Sequence, residues 1–323
     1  MREVQGQGLV GLREIESAAR RLAGVAVRTP LLPADAVSDA VGAEVRLKCE
    51  NLQRAGAFKI RGAFNFVSQL SDEQVKNGII TYSSGNHGQA VALTGKLRGI
   101  RAVIVMPTTA PKVKVEGAKR LGGEVILEGT ASLDRKRRAE EIAQEEGLVI
   151  VPPFDHRHII AGQGTVGLEI GKEWRDVDFV LAPIGGGGLA SGVAAAIKRM
   201  LPKAKVIGVE PVGAASMRAA LDNGKPVLLE KPESIADGLL SAIAGDLTFE
   251  HAKALMDDVV TVSDDAIREA TFLLVDRQKL VVEFSGATTT AALLEKKVDA
   301  AGGRVAAVIS GGNLDPSTLA QLA

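Results

Sequence analysis

The chain has 323 residues, 46% hydrophobic and 24% charged, which is typical of a globular protein with a substantial core. Its 39 basic residues balance 39 acidic ones, so the charge does not favour a nucleic-acid or membrane-surface partner. A single cysteine, Cys49, excludes an internal disulfide framework, and no transmembrane run or secretory signal is found, so we expect a cytoplasmic protein.

Apolar runs alternate with amphipathic stretches along the chain, which predicts an α/β fold with mainly parallel strands covered on both faces. The predicted strands are Val45–Cys49, Ile79–Tyr82, Ala102–Met106, Glu124–Leu127, Val149–Val151, Phe179–Pro183, Lys205–Val209, Asp258–Val262 and Val305–Ile309. The predicted helices are Arg13–Leu22, Gly62–Ser68, His87–Leu97, Pro111–Arg120, Asp134–Glu145, Gly164–Trp174, Leu189–Met200, Ala214–Asp222, Asp264–Gln278 and Ala287–Lys297.

The first candidate site is a lysine that lies between glycines in the segment Ala55–Ala63. Lys59 follows Phe58 near a predicted helix start. A lysine in a partly apolar pocket at such a position is more often the neutral amine that a Schiff base requires. A solvated lysine on an amphipathic helix is the alternative interpretation.

The second candidate site is the segment Ser83–Gly88, which follows a predicted strand and opens a helix. Its backbone N–H groups and two hydroxyls can hold a carboxylate or a phosphate. Asn86 could also contact a cofactor oxygen, whereas a plain capping turn is the alternative. His87 taken alone is more typical of a structural histidine than of a catalyst.

Two further segments complete the set. Gly185–Gly188 lies between a predicted strand and a helix, and four consecutive glycines favour a phosphate-binding loop over a flexible turn. Ser310–Asn313 places a hydroxyl directly after another strand, where doubly wound folds bind ligands. A reactive lysine, a phosphate loop, a carboxylate loop and a hydroxyl for a ring nitrogen are together the parts of a pyridoxal-phosphate site.

These four segments resemble the motifs of the threonine dehydratase and serine racemase family, pyridoxal-phosphate enzymes of the type II, tryptophan synthase β-like fold. Segments 47–51, 160–165 and 236–238 share the resemblance, which covers nearly the whole chain. It implies two open, twisted, mainly parallel sheets flanked by helices. A small domain, residues 51–148, would carry Lys59 and the substrate-carboxylate loop, inserted in a large cofactor-binding domain of residues 1–50 and 149–323. The resemblance also implies a homodimer.

The resemblance assigns Lys59 and Ser84 as catalytic residues, Lys59 being the one that forms the Schiff base with pyridoxal 5'-phosphate. The residues expected to bind the cofactor are Phe58, Lys59, Asn86, Gly185, Gly186, Gly187, Gly188, Gly238, Glu283 and Ser310. The residues expected to bind the amino-acid substrate are Ser83, Ser84, Asn86, His87, Arg135 and Ser241.

The implied reaction is β-elimination, which converts L-threonine to 2-oxobutanoate and L-serine to pyruvate, each with ammonia. Lys59 would take the Cα proton as general base. Ser84 stands where racemases of the family place a second acid or base, so serine racemase is an alternative function. Arg135 lies where relatives acting on dicarboxylic substrates carry an arginine, so threo-3-hydroxyaspartate dehydratase is another. The neighbouring basic residues 136–138 favour a solvated helix face for Arg135 instead.

A divalent-cation site, for Mg²⁺ or a similar ion, is implied at Glu210 and the carbonyl of Ala214. Ser216 stands where metal-binding relatives have Asp, and one carboxylate fewer lowers cation affinity.

Two functions of other classes remain open at this point. Gly185-x-Gly187-x-x-Ala190, with Glu210 about 20 residues further on, fits a relaxed Rossmann NAD-binding fingerprint. That interpretation leaves Lys59 without a role. A non-catalytic amino-acid-binding protein would keep the loops but would not need the lysine.

Overall fold

The strands of the protein form two separate sheets in a computed structural model that describes residues 8–83, 85–110, 112–130 and 132–321. All nine strands predicted from the sequence are confirmed. The observed strands are β1 (Leu31–Pro33), β2 (Glu44–Cys49), β3 (Ile79–Tyr82), β4 (Ala102–Met106), β5 (Glu124–Leu127), β6 (Val149–Ile150), β7 (Phe179–Pro183), β8 (Lys205–Pro211), β9 (Asp258–Val262) and β10 (Arg304–Ile309).

The larger sheet has the order β1-β2-β10-β7-β8-β9. Its neighbouring strands are parallel except at the edge, where β1 pairs antiparallel with β2. The central strands are almost wholly buried, which is why they appear in the sequence as continuous apolar runs. β1 was not predicted, because three residues ending in a proline are too few to show a strand period.

The smaller sheet has the order β5-β4-β3-β6 and is parallel throughout. The two mainly parallel sheets confirm the predicted fold class. The domain bounds stay a prediction. Because β6 pairs with β3, a boundary drawn by sheet membership would fall after Ile150 instead of after residue 148.

Helices cover both sheets, and every predicted helix is present. The observed helices are α1 (Leu12–Arg21), α2 (Asp35–Val41), α3 (Lys59–Val67), α4 (Asp72–Val75), α5 (Asn86–Arg98), α6 (Lys112–Arg120), α7 (Ser132–Glu146), α8 (Arg157–Glu173), α9 (Gly188–Met200), α10 (Ser216–Asn223), α11 (Asp246–Leu255), α12 (Asp264–Asp276), α13 (Phe284–Leu294) and α14 (Pro316–Gln321). Among them α2, α4, α11 and α14 were not predicted. In the part of the chain that the structure describes, no helix has the length and apolar character to cross a membrane.

Helix α8 begins at Arg157 and not at Gly164, where the sequence predicted it. Glycines weaken a helix prediction, since each is unfavourable in a helix interior. Here they permit close packing. A Cβ on Gly162 would lie 2.4 Å from the Arg61 carbonyl oxygen in α3, and one on Gly164 would lie 2.8 Å from Ile15 Cδ1 in α1.

Helix α3 likewise begins earlier than predicted, at Lys59 instead of Gly62. A Cβ on Gly62 would lie 2.4 Å from Gln163 Nε2, so this glycine also serves the contact between α3 and α8. Lys59 is therefore the first residue of its helix, which packs against α8.

Buried charges fix α3 further. Arg61 in α3 donates to Glu50 at 2.8 Å and to Glu169 of α8 at 2.7 Å. Lys48 of β2 donates to the same Glu169 at 2.6 Å. Because Lys48, Glu50 and Arg61 are almost inaccessible to solvent, each depends on its partner for stabilisation. The network sets the position of α3, and hence of Lys59.

Candidate active site

Segments that follow β3, β7 and β10 meet at the carboxyl ends of these strands, together with the start of α3. The backbone N–H of Phe58 donates to the Ser310 carbonyl oxygen at 3.1 Å, which joins α3 to the end of β10. Asn313 Nδ2 donates to Asn86 Oδ1 at 2.8 Å, which joins the same strand end to α5. The motifs found separately in the sequence thus form one site.

Lys59 is half-buried in this site and points towards the segment after β6. Its Nζ donates to the Pro153 carbonyl oxygen at 2.9 Å and lies 5.2 Å from the centre of the Phe58 ring. Burial lowers the pKa of Lys59 to about 8, while the charge of Glu283 opposes this shift. The lysine therefore has the lowered pKa that nucleophilic and basic lysines require.

The glycine loop, Gly185–Gly188, leads from β7 into α9. Gly187 has φ of +94°, a conformation that residues with side chains rarely adopt. A Cβ on Gly186 would lie 2.2 Å from Phe154 Cδ1, so glycine is required there as well. The N–H groups at the start of α9 have no partners within the helix and attract an anion. The loop therefore fits the phosphate of pyridoxal phosphate.

Asn86 and Glu283, both predicted to bind the cofactor, are joined by a hydrogen bond between their side chains. Asn86 Nδ2 donates to Glu283 Oε1 at 2.6 Å. Burial, followed by the charge of Asp237, raises the pKa of the Glu283 carboxyl to about 7, against the effect of the Asn86 hydrogen bond. Gly311 leaves room for this carboxyl, because a Cβ on Gly311 would lie 2.3 Å from Glu283 Oε1. The site thus holds a carboxyl group whose ionisation changes near neutral pH.

Ser310 and Gly238 meet through Ser285, the second residue of α13. The Gly238 N–H donates to Ser285 Oγ at 2.9 Å, and Ser310 Oγ donates to the Ser285 carbonyl oxygen at 3.4 Å. The second hydrogen bond is long and therefore weak. The hydroxyl of Ser310 can exchange it for a contact to a ring nitrogen.

Besides Asn86, three more predicted substrate residues follow β3. Ser84 lies outside the described residues. Ser83 Oγ accepts from the Gly85 N–H at 3.3 Å. The His87 ring is buried, with Nε2 3.1 Å from the Val151 carbonyl oxygen. Burial, with the charge of Lys59 second, lowers the pKa of His87 to about 3, so the ring is neutral at pH 7. Its side chain serves the fold, and the first N–H groups of α5 are the donors left for a carboxylate.

Arg135 and Ser241, also predicted to bind substrate, make local contacts. Arg135 Nη1 donates to the Thr130 carbonyl oxygen at 3.0 Å, and Ser241 Oγ donates to that of Ile243 at 2.8 Å. Arg135 Nε is buried and has no hydrogen-bond partner within the described ranges. No hydrogen bond among the described side chains joins either residue to Lys59, so both assignments stay predictions.

Glu210, predicted with the Ala214 carbonyl to bind a divalent cation, caps a helix. The buried Glu210 carboxyl accepts from the backbone N–H groups of Met217 and Arg218, both at 2.8 Å, at the start of α10. Burial raises the pKa of Glu210 to about 7. Where the structure is described, three or more His, Cys, Asp or Glu side chains nowhere come together as metal ligands. One carboxyl with both oxygens engaged does not fit a divalent cation, and the site at Glu210 and Ala214 stays an untested prediction.

The sequence did not predict the contacts of several residues in the site. Asn313 closes a motif that was recognised, but its side-chain contact to Asn86 was not foreseen. Ser285, Thr248, Phe154 and Asp155 act through contacts between segments that lie far apart in the chain. No local pattern marks such residues, and only the folded chain shows them.

Comparisons with known proteins identify the family of the chain. Residues 22–311 match the family described as pyridoxal-phosphate dependent enzyme. The L-threonine ammonia-lyase of Thermotoga maritima is 45% identical over 95% of this chain and 76% of its own length. The serine racemase of Schizosaccharomyces pombe is 42% identical over 94% of both proteins. The structure of maize serine racemase aligns with a TM-score of 0.93 and 40% identity, covering 97% of this chain and 96% of that one. The chain therefore belongs to the pyridoxal-phosphate dependent enzymes of the threonine dehydratase and serine racemase family.

Proposed function

We propose that this protein is an ammonia-lyase of the threonine dehydratase type, which converts L-threonine to 2-oxobutanoate and L-serine to pyruvate, each with ammonia. The observation that carries the proposal is the half-buried Lys59, whose Nζ donates to the Pro153 carbonyl oxygen and whose pKa burial lowers to about 8. The relative named L-threonine ammonia-lyase, 45% identical, supports the same reaction. A NAD-binding role would leave this lysine unexplained.

Bound pyridoxal phosphate supplies an electron sink for negative charge at the substrate Cα. The glycine loop and the first turn of α9 would hold its phosphate through backbone N–H groups. The first turn of α5 binds the substrate carboxylate in the same way. The neutral hydroxyl of Ser310 stabilises a protonated ring nitrogen less than an aspartate would, which favours rapid elimination.

Lys59 takes the Cα proton as general base. Its lowered pKa makes the neutral amine available a little above neutral pH. Loss of this proton and of the β-hydroxyl releases one water, and hydrolysis of the released enamine takes one water up again. The net products are the 2-oxo acid and ammonia.

Two other reactions of the same site have support. Serine racemisation is supported by the relative of Schizosaccharomyces pombe, 42% identical. Dehydration of threo-3-hydroxyaspartate is supported by the buried Nε of Arg135, which has no hydrogen-bond partner among the described residues and which a second substrate carboxylate could engage. A homodimer is expected as well.

The test uses purified protein loaded with pyridoxal phosphate and three substrates, L-threonine, L-serine and threo-3-hydroxyaspartate. Oxo-acid release from threonine and serine, abolished in Lys59→Ala, is the expected result. D-serine formed faster than pyruvate would make the protein a racemase. Release from hydroxyaspartate alone, lost in Arg135→Ala but kept in the exposed neighbour Lys136→Ala, would make it a hydroxyaspartate dehydratase. Ligand binding without any turnover would overturn the enzymatic proposal.

A further inference from the structure

The connecting segment, residues 153–155, touches both functional parts of the site. Pro153 accepts the hydrogen bond from Lys59 Nζ at 2.9 Å. The ring of Phe154 occupies the space beside the glycine loop, where a Cβ on Gly186 would lie 2.2 Å from Phe154 Cδ1. The backbone of Phe154 lies against the loop too, since a Cβ on Gly188 would lie 3.1 Å from Phe154 Cα. This segment therefore sets the spacing between the lysine and the loop.

Asp155 connects the segment by hydrogen bonds to α11, a helix about 90 residues further along the chain. Asp155 Oδ1 accepts from the N–H groups of Leu247 and Thr248 at 3.0 and 3.1 Å, and Oδ2 accepts from that of Asp246 at 3.1 Å. Gly245 makes room, because a Cβ there would lie 2.3 Å from Asp155 Cγ. One carboxylate thus caps the first turn of α11 from outside the helix.

Thr248, on the first turn of α11, contacts the glycine loop. The buried Thr248 Oγ1 donates to the Gly186 carbonyl oxygen at 2.7 Å. The peptide bond is planar, so a fixed Gly186 carbonyl also fixes the Gly187 N–H, which points to the opposite side. The hydrogen bond from Thr248 therefore orients an N–H group of the loop away from α11.

We propose that Asp155 is a positioning residue for the cofactor phosphate. It holds the first turn of α11, Thr248 on that turn holds the Gly186 carbonyl, and the loop is kept ready to bind the phosphate before the cofactor arrives. The inference depends on pyridoxal phosphate as the cofactor. It does not depend on which of the three substrates the protein accepts.

The test compares Asp155→Ala and Thr248→Val with a matched control, Ser263→Ala. Ser263 caps α12 by accepting from the Ala266 N–H at 3.1 Å, so its loss removes a cap away from the glycine loop. For each variant the midpoint of thermal unfolding, the Kd for pyridoxal phosphate and the ³¹P NMR shift of the bound phosphate are measured. Inorganic phosphate is titrated into the apoprotein as a second probe of the loop.

All three variants are expected to unfold at lower temperature. Asp155→Ala and Thr248→Val should also raise the Kd about tenfold, equivalent to about 1.4 kcal/mol, and move the ³¹P signal, whereas Ser263→Ala should change neither. Because both residues act through one contact, the double variant should lose little more affinity than either single variant. Should Asp155→Ala fail to fold, Thr248→Val still tests the contact with the cap intact, and Asp155→Asn should retain part of the affinity.

An unchanged Kd and ³¹P shift in Asp155→Ala, with only a lower unfolding temperature, would show a plain helix cap and overturn the proposal. Additive losses in the double variant would overturn it as well. Wild-type protein that fails to bind pyridoxal phosphate would instead contradict the cofactor itself, so the two failures are distinguishable.

Discussion

Asn86 Nδ2 lies 2.6 Å from Glu283 Oε1, and this hydrogen bond joins α5, which packs on the smaller sheet, to the N-terminus of α13, which packs on the larger one. The contact links the two halves of the site at the position predicted for the cofactor ring. It also stabilises a carboxyl group whose pKa burial raises to about 7.

Asn86→Ala should weaken the binding of pyridoxal phosphate. The substitution leaves the buried Glu283 carboxyl without this donor, which costs about 1–3 kcal/mol of stability in the site. We expect the Kd to rise about tenfold, measured by titration of the apoprotein. Asn223→Ala, which removes only an exposed hydrogen bond to Ala219 in α10, is the control and should leave the Kd unchanged. Equal affinity of Asn86→Ala and wild type for pyridoxal phosphate would show that the Asn86–Glu283 contact does not contribute to cofactor binding.

Covalent binding of pyridoxal phosphate to the apoprotein should speed up with pH, with a midpoint near 8, the pKa of Lys59, and level off once Lys59 is mostly the neutral amine. The sign follows from burial, which disfavours the ammonium form. Glu283→Gln removes the negative charge that favours the ammonium, so the midpoint should move to lower pH. Stopped-flow absorbance measures the rate. A midpoint near 10.5, the ordinary lysine value, would mean that Lys59 is solvated.

Arg61→Ala should destabilise the protein by about 3–5 kcal/mol, because it leaves the buried carboxylate of Glu50 unpaired. The matched control is Arg28→Ala, which removes an exposed pair with Glu173 at 3.0 Å and should cost less than about 1 kcal/mol. Urea unfolding gives both free energies. Similar losses in the two variants would contradict the structural role assigned to the buried network.

Chelation with EDTA should leave the midpoint of thermal unfolding unchanged, since both Glu210 oxygens accept backbone hydrogen bonds from α10. Glu210→Ala should destabilise the protein by about 1–3 kcal/mol, because two N–H groups lose their acceptor. Ser216→Asp adds a second carboxylate and should make the midpoint rise with Mg²⁺. A wild-type midpoint that falls with EDTA and recovers with Mg²⁺ would contradict the helix-cap interpretation.

The strands were predictable because buried parallel strands are short apolar runs, and their bounds were nearly right. The start of α8 was not predictable. Gly162 and Gly164 are unfavourable in a helix by sequence alone, and only their close contacts to α3 and α1 explain why they lie in one. β1 and the single-turn α4 are too short for any period to appear.

In the site, composition alone marks two features, Lys59 as a lysine between glycines and Gly185–Gly188 as four consecutive glycines. Glu283 was placed by resemblance alone, since nothing in its own neighbourhood marks a buried carboxyl. Asp155 and Thr248 could not be found, because each acts through hydrogen bonds to a segment far away in the chain. Long-range contacts of this kind leave no local signal.

The most direct test is to identify the lysine that carries the cofactor. Protein loaded with pyridoxal phosphate is reduced with borohydride, digested and analysed by mass spectrometry. We predict a phosphopyridoxyl group on the peptide that contains Lys59, and no such group in Lys59→Ala. A label on another lysine, such as Lys114, or no label at all, would contradict the site described here.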